Sequence, residues 1–163
     1  TVLIGAHFSN SLGENSGAAY IFRRNQQDNT WFEEAKIYPD DGIAGDKFGV
    51  KVALGRSGNL AIISADQVGF GKGAVYIYER VDQETKNTTM PWTLQAKLMA
   101  EDATEGSQFG DSIAIYDETI AIGASHPDVL ITGAVYIFEK DRDSSAWVQV
   151  NKLVPNDIST NPY

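Results

Sequence analysis

The feature that most constrains this chain is an internal repeat, because a unit that recurs must fold the same way each time. Three runs carry it: Gly17-Ala-Ala-Tyr-Ile-Phe22, Gly73-Ala-Val-Tyr-Ile-Tyr78 and Gly133-Ala-Val-Tyr-Ile-Phe138. A second set spaces Trp, Lys and Asp evenly, at Trp31/Lys36/Asp41, Trp92/Lys97/Asp102 and Trp147/Lys152/Asp157. The first two members continue to Phe48-Gly49 and Phe109-Gly110, in both cases 17 residues after the Trp. A third anchor is Leu3-Ile-Gly-Ala6, matched by Ile62-Ile-Ser-Ala65 and Ala121-Ile-Gly-Ala124. From the Gly of the Gly-Ala-x-Tyr run to the next Trp the distance is 14, 19 and 14 residues. The length variation therefore falls in polar, turn-rich segments such as Val81 to Pro91, as expected of loops between stacked units.

Each unit reads as four short strands. The first follows Phe-Gly (48–54 and 109–116), and the second covers 2–6, 60–65 and 119–124. The third is Ala74 to Arg80 with its two counterparts. The fourth is typified by Trp92 to Leu98, where apolar residues alternate with Thr93, Gln95 and Lys97. The middle strands are apolar on both faces, so they belong between neighbouring sheets. The expected fold is all-β, built of propeller blades of four antiparallel strands, about three of them present. A β-helix would repeat over fewer residues, and a sandwich would not repeat its motif three times. The units fall at about 1–47 (lacking a first strand), 48–108 and 109–163. The opening Thr1 to Ala6 reads as a strand, which places any signal peptide upstream.

These residues resemble the FG-GAP repeat family, the units of the seven-bladed propeller heads of integrin α chains and many other extracellular proteins. Phe-Gly stands at 48–49 and 109–110, and Gly5-Ala6-His7, Ser64-Ala65-Asp66 and Gly123-Ala124-Ser125 represent the Gly-Ala-Pro portion. The resemblance covers essentially the whole chain. It implies a partial propeller, a full ring of seven blades, and an extracellular or cell-surface setting. Three blades do not close a ring, so it also implies further blades or an assembly of chains. Many such repeats carry a calcium loop between strands one and two. Here that connection is Gly55-Arg-Ser-Gly-Asn59 or Asp117-Glu118, which lacks the oxygen ligands calcium requires. The chain is similar to the calcium-free variety, and no cofactor is expected.

The acidic balance, a net charge of −9, argues against nucleic acid or an anionic membrane as partner. No apolar run approaches the roughly 20 residues that span a bilayer, so no membrane insertion is expected in this segment. With no cysteine there is no disulfide, thiolate nucleophile or cysteine zinc site.

Trp31, Trp92 and Trp147 recur at one offset and read as packing between blades rather than sugar platforms. Lys36, Lys97 and Lys152 read as charges guarding an outer strand against stray pairing. Asp41, Asp102 and Asp157 read as turn supports; Asp41 with Asp46 is the densest carboxylate group, and turn support is preferred there over a metal site. Phe48-Gly49 and Phe109-Gly110 read as packing wedges. The glycines of 69–73 precede a strand and not the helix a phosphate loop needs. His7 and His126 occupy non-equivalent repeat positions with no accompanying nucleophile or paired acid, so no catalytic residue is named and the chain reads as a non-enzyme. Asn87-Thr88-Thr89 is a glycosylation sequon in the longest loop.

Strands are alike across the units while the strand two-to-three loops differ, so specificity is expected there. The ligand-binding candidates are His7, Phe8, Asp66, Gln67, Phe70, His126 and Asp128. The leading expectation is an extracellular module for protein binding or adhesion. The alternatives are a structural subunit of a larger surface assembly or filament, and a lectin-like propeller with a glycan partner.

Overall fold

The computed structural model describes residues 1–81, 90–125 and 133–155. Its strands are β1 (Val2–Ala6), β2 (Ala18–Arg24), β3 (Trp31–Ile37), β4 (Val52–Leu54), β5 (Leu60–Ala65) and β6 (Ala74–Arg80). They continue as β7 (Trp92–Leu98), β8 (Phe109–Tyr116), β9 (Thr119–Ala124), β10 (Ala134–Lys140) and β11 (Trp147–Leu153). All pair antiparallel with their chain neighbours in three meanders: β1-β2-β3, then β4 to β7, then β8 to β11. These are the blade-like sheets of an all-β partial propeller.

The local sequence explains the layout. In the second sheet, β5 and β6 are buried along almost their whole length, whereas β7 is buried only at its two ends, Trp92 and Leu98. The apolar-on-both-faces middle strands thus lie between sheets, and the alternating fourth strand meets water. Two cores form, one per junction. The first joins Ile21, Ala35 and Ile37 to Phe48, Ile63, Tyr76 and Trp92. The second joins Ile62, Val75, Ile77 and Leu98 to Phe109, Ile122, Tyr136 and Trp147.

Two departures from simple four-strand regularity stand out. Strand one of the second sheet is shorter than the sequence implies: residues 48–51 leave the regular ladder, with Gly49 in the left-handed region (φ 90°). Gly49 N–H and Ser64 O still bond at 2.8 Å, so the segment remains attached. The second departure is a bulge between strands three and four of every sheet. Register shifts after Ile21, Ile77 and Ile137, leaving Glu34, Gln95 and Val150 unpaired in turn. A bulge re-aims the side chain it extrudes.

Candidate binding surface and the junctions that carry it

Each junction is built around the Phe-Gly pair. Phe48 and Phe109 are completely buried, and their amides donate to Ser16 O and Lys72 O, both at 3.0 Å. Phe48 meets Tyr76 and Tyr78 edge-on, with centroids 5.3 and 6.3 Å apart, and Phe109 meets Tyr136 and Phe138 at 5.4 and 6.0 Å. Gly17 and Gly73 adopt φ of 88° and 86°, and a Cβ on either would overlap the carbonyl of the Phe arriving from the next sheet. Only glycine admits that approach.

Around this wedge lies a polar clamp. Asp41, which follows the first sheet, accepts from Tyr76 Oη at 3.2 Å and pairs with Lys97, both on the second sheet. Asp102 repeats this toward the third sheet, accepting from Tyr136 Oη at 2.8 Å and pairing with Lys152. Each lysine also rides over the ring of its tyrosine, 5.1 Å from the centroid for Lys97 and 5.3 Å for Lys152. Burial opposes ionisation of Asp41, but Lys97 and then Tyr76 outweigh it and hold the carboxyl below its usual range. The hydrogen bond from Lys152, then that from Tyr136, does the same for Asp102. Burial, with Asp41 beside it, pushes the Tyr76 hydroxyl well above its ordinary value.

This extends two expectations. Lys97 and Lys152 stand on the outermost strands, β7 and β11, but do more than guard an edge, and Asp41 and Asp102 do more than support turns; together they tie one sheet to the next. Lys36 lies 5.5 Å over Tyr20 but has no carboxylate partner among the described residues. Asp157 lies outside them. Asp46 is a turn support as expected: its Oδ2 accepts from Ile43 N–H at 2.8 Å, and burial raises its pKa. Trp92 and Trp147 are buried at junctions, whereas Trp31, on the first sheet, is 51% exposed.

The loops between second and third strands are equivalent connections and leave neighbouring sheets at the same end. They are tied to the segments linking one sheet to the next. Gly45 N–H bonds to Glu14 O at 2.9 Å and Lys47 N–H to Asn15 O at 3.1 Å. In the next unit Gly106 N–H bonds to Phe70 O at 3.1 Å and Gln108 N–H to Gly71 O at 2.7 Å. This end carries His7 and Phe8, whose rings meet at a 46° tilt with centroids 4.1 Å apart, with Phe8 exposed. Asp66 is buried and accepts from Gln67 Nε2 at 3.2 Å, so it shapes the loop more than it faces outward. Next comes a single turn, α1 (Val68–Gly71), in which Gly69 and Phe70 are left-handed, with φ of 62° and 61°. Sequence reasoning missed this one-turn element, which the glycines on both sides of Phe70 permit. Phe70 is 85% exposed. His126, Asp128 and the Asn87 sequon lie outside the described residues. Sequence reasoning also missed Ile43, 64% exposed, in the link between the first two sheets.

Among the described residues no cluster of three or more potential ligands could hold a metal ion. No helix of these residues is long and apolar enough to cross a membrane.

Stacked antiparallel sheets, one of three strands and two of four, joined through Phe-Gly wedges define a propeller-type repeat module. The profile of the FG-GAP repeat matches residues 31–78 and 92–138, more than half the chain, and the chain belongs to the FG-GAP repeat family. No curated protein matches it in sequence. Repeats of this family are generally non-catalytic and occur mainly in extracellular or cell-surface proteins.

Proposed function

We propose that this chain is part of a non-catalytic, extracellular propeller that binds a protein partner through its strand two-to-three loops. Phe70 carries the reading. A bulky residue with positive φ is uncommon, and one that stands almost wholly in water gains nothing from packing. Phe8 on the equivalent loop adds a second exposed ring, and paired aromatics of this kind act as anchors in protein interfaces. The loops rest on the junction segments, so a rigid scaffold presents them.

The test is binding of the labelled chain to intact cells, comparing wild type with the Phe8→Ala/Phe70→Ala double variant. Binding should fall at least about tenfold with unchanged circular dichroism. It should vanish after protease treatment of the cells and survive glycosidase treatment. Equal binding by the double variant, or loss only after glycosidase, would defeat the reading.

A further inference from the structure

A crevice on the first junction holds one polar group that the fold does not use. Tyr78 on β6 meets Phe48 edge-on and is only 6% exposed, and its hydroxyl has no hydrogen-bond partner among the described residues. Such a group is costly and uncommon. Packing does not require it, because Phe138 fills the same repeat position in the second core. The hydroxyl is not sealed in either. The polar atoms closed off without a partner among the described residues are Trp147 Nε1 and Gln149 Oε1, and Tyr78 Oη is not one of them. Burial, then the nearness of Tyr76, Asp40 and Asp41, raises its pKa far above the ordinary tyrosine value, so it stays protonated and can donate.

Tyr78 lines a cavity of about 340 Å³ together with Tyr38, Trp92, Leu94, Asp40 and Lys36. Tyr38 and Leu94 are exposed at this cavity. The Trp92 wall is held from behind. The bulge aims Glu34 across the junction, and its carboxylate accepts from Trp92 Nε1 at 3.0 Å, Arg80 Nε at 2.9 Å and Arg23 Nη1 at 3.1 Å. Burial resists ionisation of Glu34, yet Trp92, Arg80 and Arg23 together hold its pKa below the usual carboxylate range. Neither Asp40 nor Lys36 makes an ion pair among the described residues. The lining thus combines aromatic and aliphatic walls, one neutral hydroxyl and one unpaired charge of each sign. A cation meets Lys36 there, an anion meets Asp40, and a purely apolar ligand leaves the hydroxyl unanswered. An uncharged molecule with an apolar face and several hydroxyls satisfies all of them.

We propose that this crevice binds a neutral sugar, one pyranose ring in the cavity. One sugar hydroxyl accepts from Tyr78 Oη, another donates to the Asp40 carboxylate, and the C–H face of the ring lies against Tyr38 and Leu94. At the second junction Met99, Glu101, Phe138 and Gln149 hold the places of Tyr38, Asp40, Tyr78 and Leu94, so the site belongs to the first junction and not the second. Neither Phe8 nor Phe70 lines the cavity, which separates it from the protein-binding reading of the loops.

The test titrates the ¹⁵N-labelled chain with the methyl glycosides of glucose, galactose, mannose and N-acetylglucosamine, up to about 100 mM. At least one should shift the amide resonances of Tyr38, Tyr78 and Leu94 together and saturably. Tyr78→Phe installs the residue that the second core already accommodates, and it should weaken that glycoside at least about tenfold with unchanged thermal unfolding. Asp40→Ala should weaken it as well, whereas the Phe8→Ala/Phe70→Ala variant should bind it as wild type does. Cyclohexanol, a ring with a single hydroxyl, should bind at least about tenfold more weakly than the sugar. The proposal is overturned if no glycoside moves those resonances, if Tyr78→Phe binds as wild type does, or if cyclohexanol binds as well as the sugar. It is also overturned if a short proline-rich peptide moves the same resonances at lower concentration, which would make the crevice a peptide site.

Discussion

The first and second junctions use the same wedge and the same clamp, yet only the first closes its outer side with a charged cluster. Phe48 and Phe109 are equally buried, and Asp41 and Asp102 make matching contacts. At the outer side Glu34 gathers two arginines and an indole, while its counterpart Gln95 folds back and leaves Trp147 Nε1 unpaired. The other buried polar atom without a partner among the described residues, Gln149 Oε1, is on β11 as well. The difference teaches that apolar wedge and backbone hold sheets together, while the bulge position is free to vary its chemistry.

The comparison can be broken at four points. The largest expected effect comes from the shared element: Phe48→Ala and Phe109→Ala should each lose about 3–5 kcal/mol. Urea unfolding with strand-by-strand hydrogen exchange would test this, and losses that differ by more than about 1 kcal/mol would show that the wedges are not equivalent.

Next, Glu34→Ala strips the acceptor from Arg23, Arg80 and Trp92 and should lose about 2–3 kcal/mol. Gln95→Ala, at the same repeat position, should change stability by less than about 0.5 kcal/mol. Comparable losses would erase the contrast drawn between the junctions.

A smaller effect is expected from acid. Glu34, Asp41 and Asp102 have folded-state pKa values below their unfolded ones. Their contribution is complete above the unfolded carboxylate range and is lost as pH falls through the depressed folded values. Asp46, with a raised pKa, acts in the opposite sense: it favours folding below its unfolded value and loses that contribution as pH rises through the folded one. Urea midpoints measured from about pH 7 to about pH 3 should fall, and Glu34→Gln should fall less steeply than wild type. The smallest effect is in the clamps. Lys97→Met and Lys152→Met should each lose about 0.5–1 kcal/mol at low salt and less at high salt, since both pairs are partly exposed.

The strands were legible because apolar spacing and repetition report on local geometry, and the predicted limits of β5, β6 and β7 agree with those observed. The wedge was legible too, since an aromatic residue that recurs beside a glycine at one spacing marks a buried ring where two backbones meet closely. The clamp was not legible, because its partners lie 56 and 50 residues apart and belong to different sheets. Nothing in a strand's alternation says that a neighbouring sheet will bring a carboxylate to a lysine. The Glu34 cluster was hidden for a further reason: a bulge shifts the alternation by one residue, so the strand pattern alone misplaces the side chain. Among the ligand-binding candidates, exposure separates Phe8 and Phe70 from the buried Asp66, a distinction composition does not carry.

The family match runs from the fourth strand of one sheet to the third strand of the next, out of step with the sheets themselves. The stretch that recurs in sequence therefore carries the Asp, the Phe-Gly and the Tyr of a seam, while the Trp and Lys that complete it, Trp92 and Lys97 at the first junction, come from the copy that follows. Adjacent copies are thus interlocked rather than merely abutted, each finishing the seam its predecessor begins.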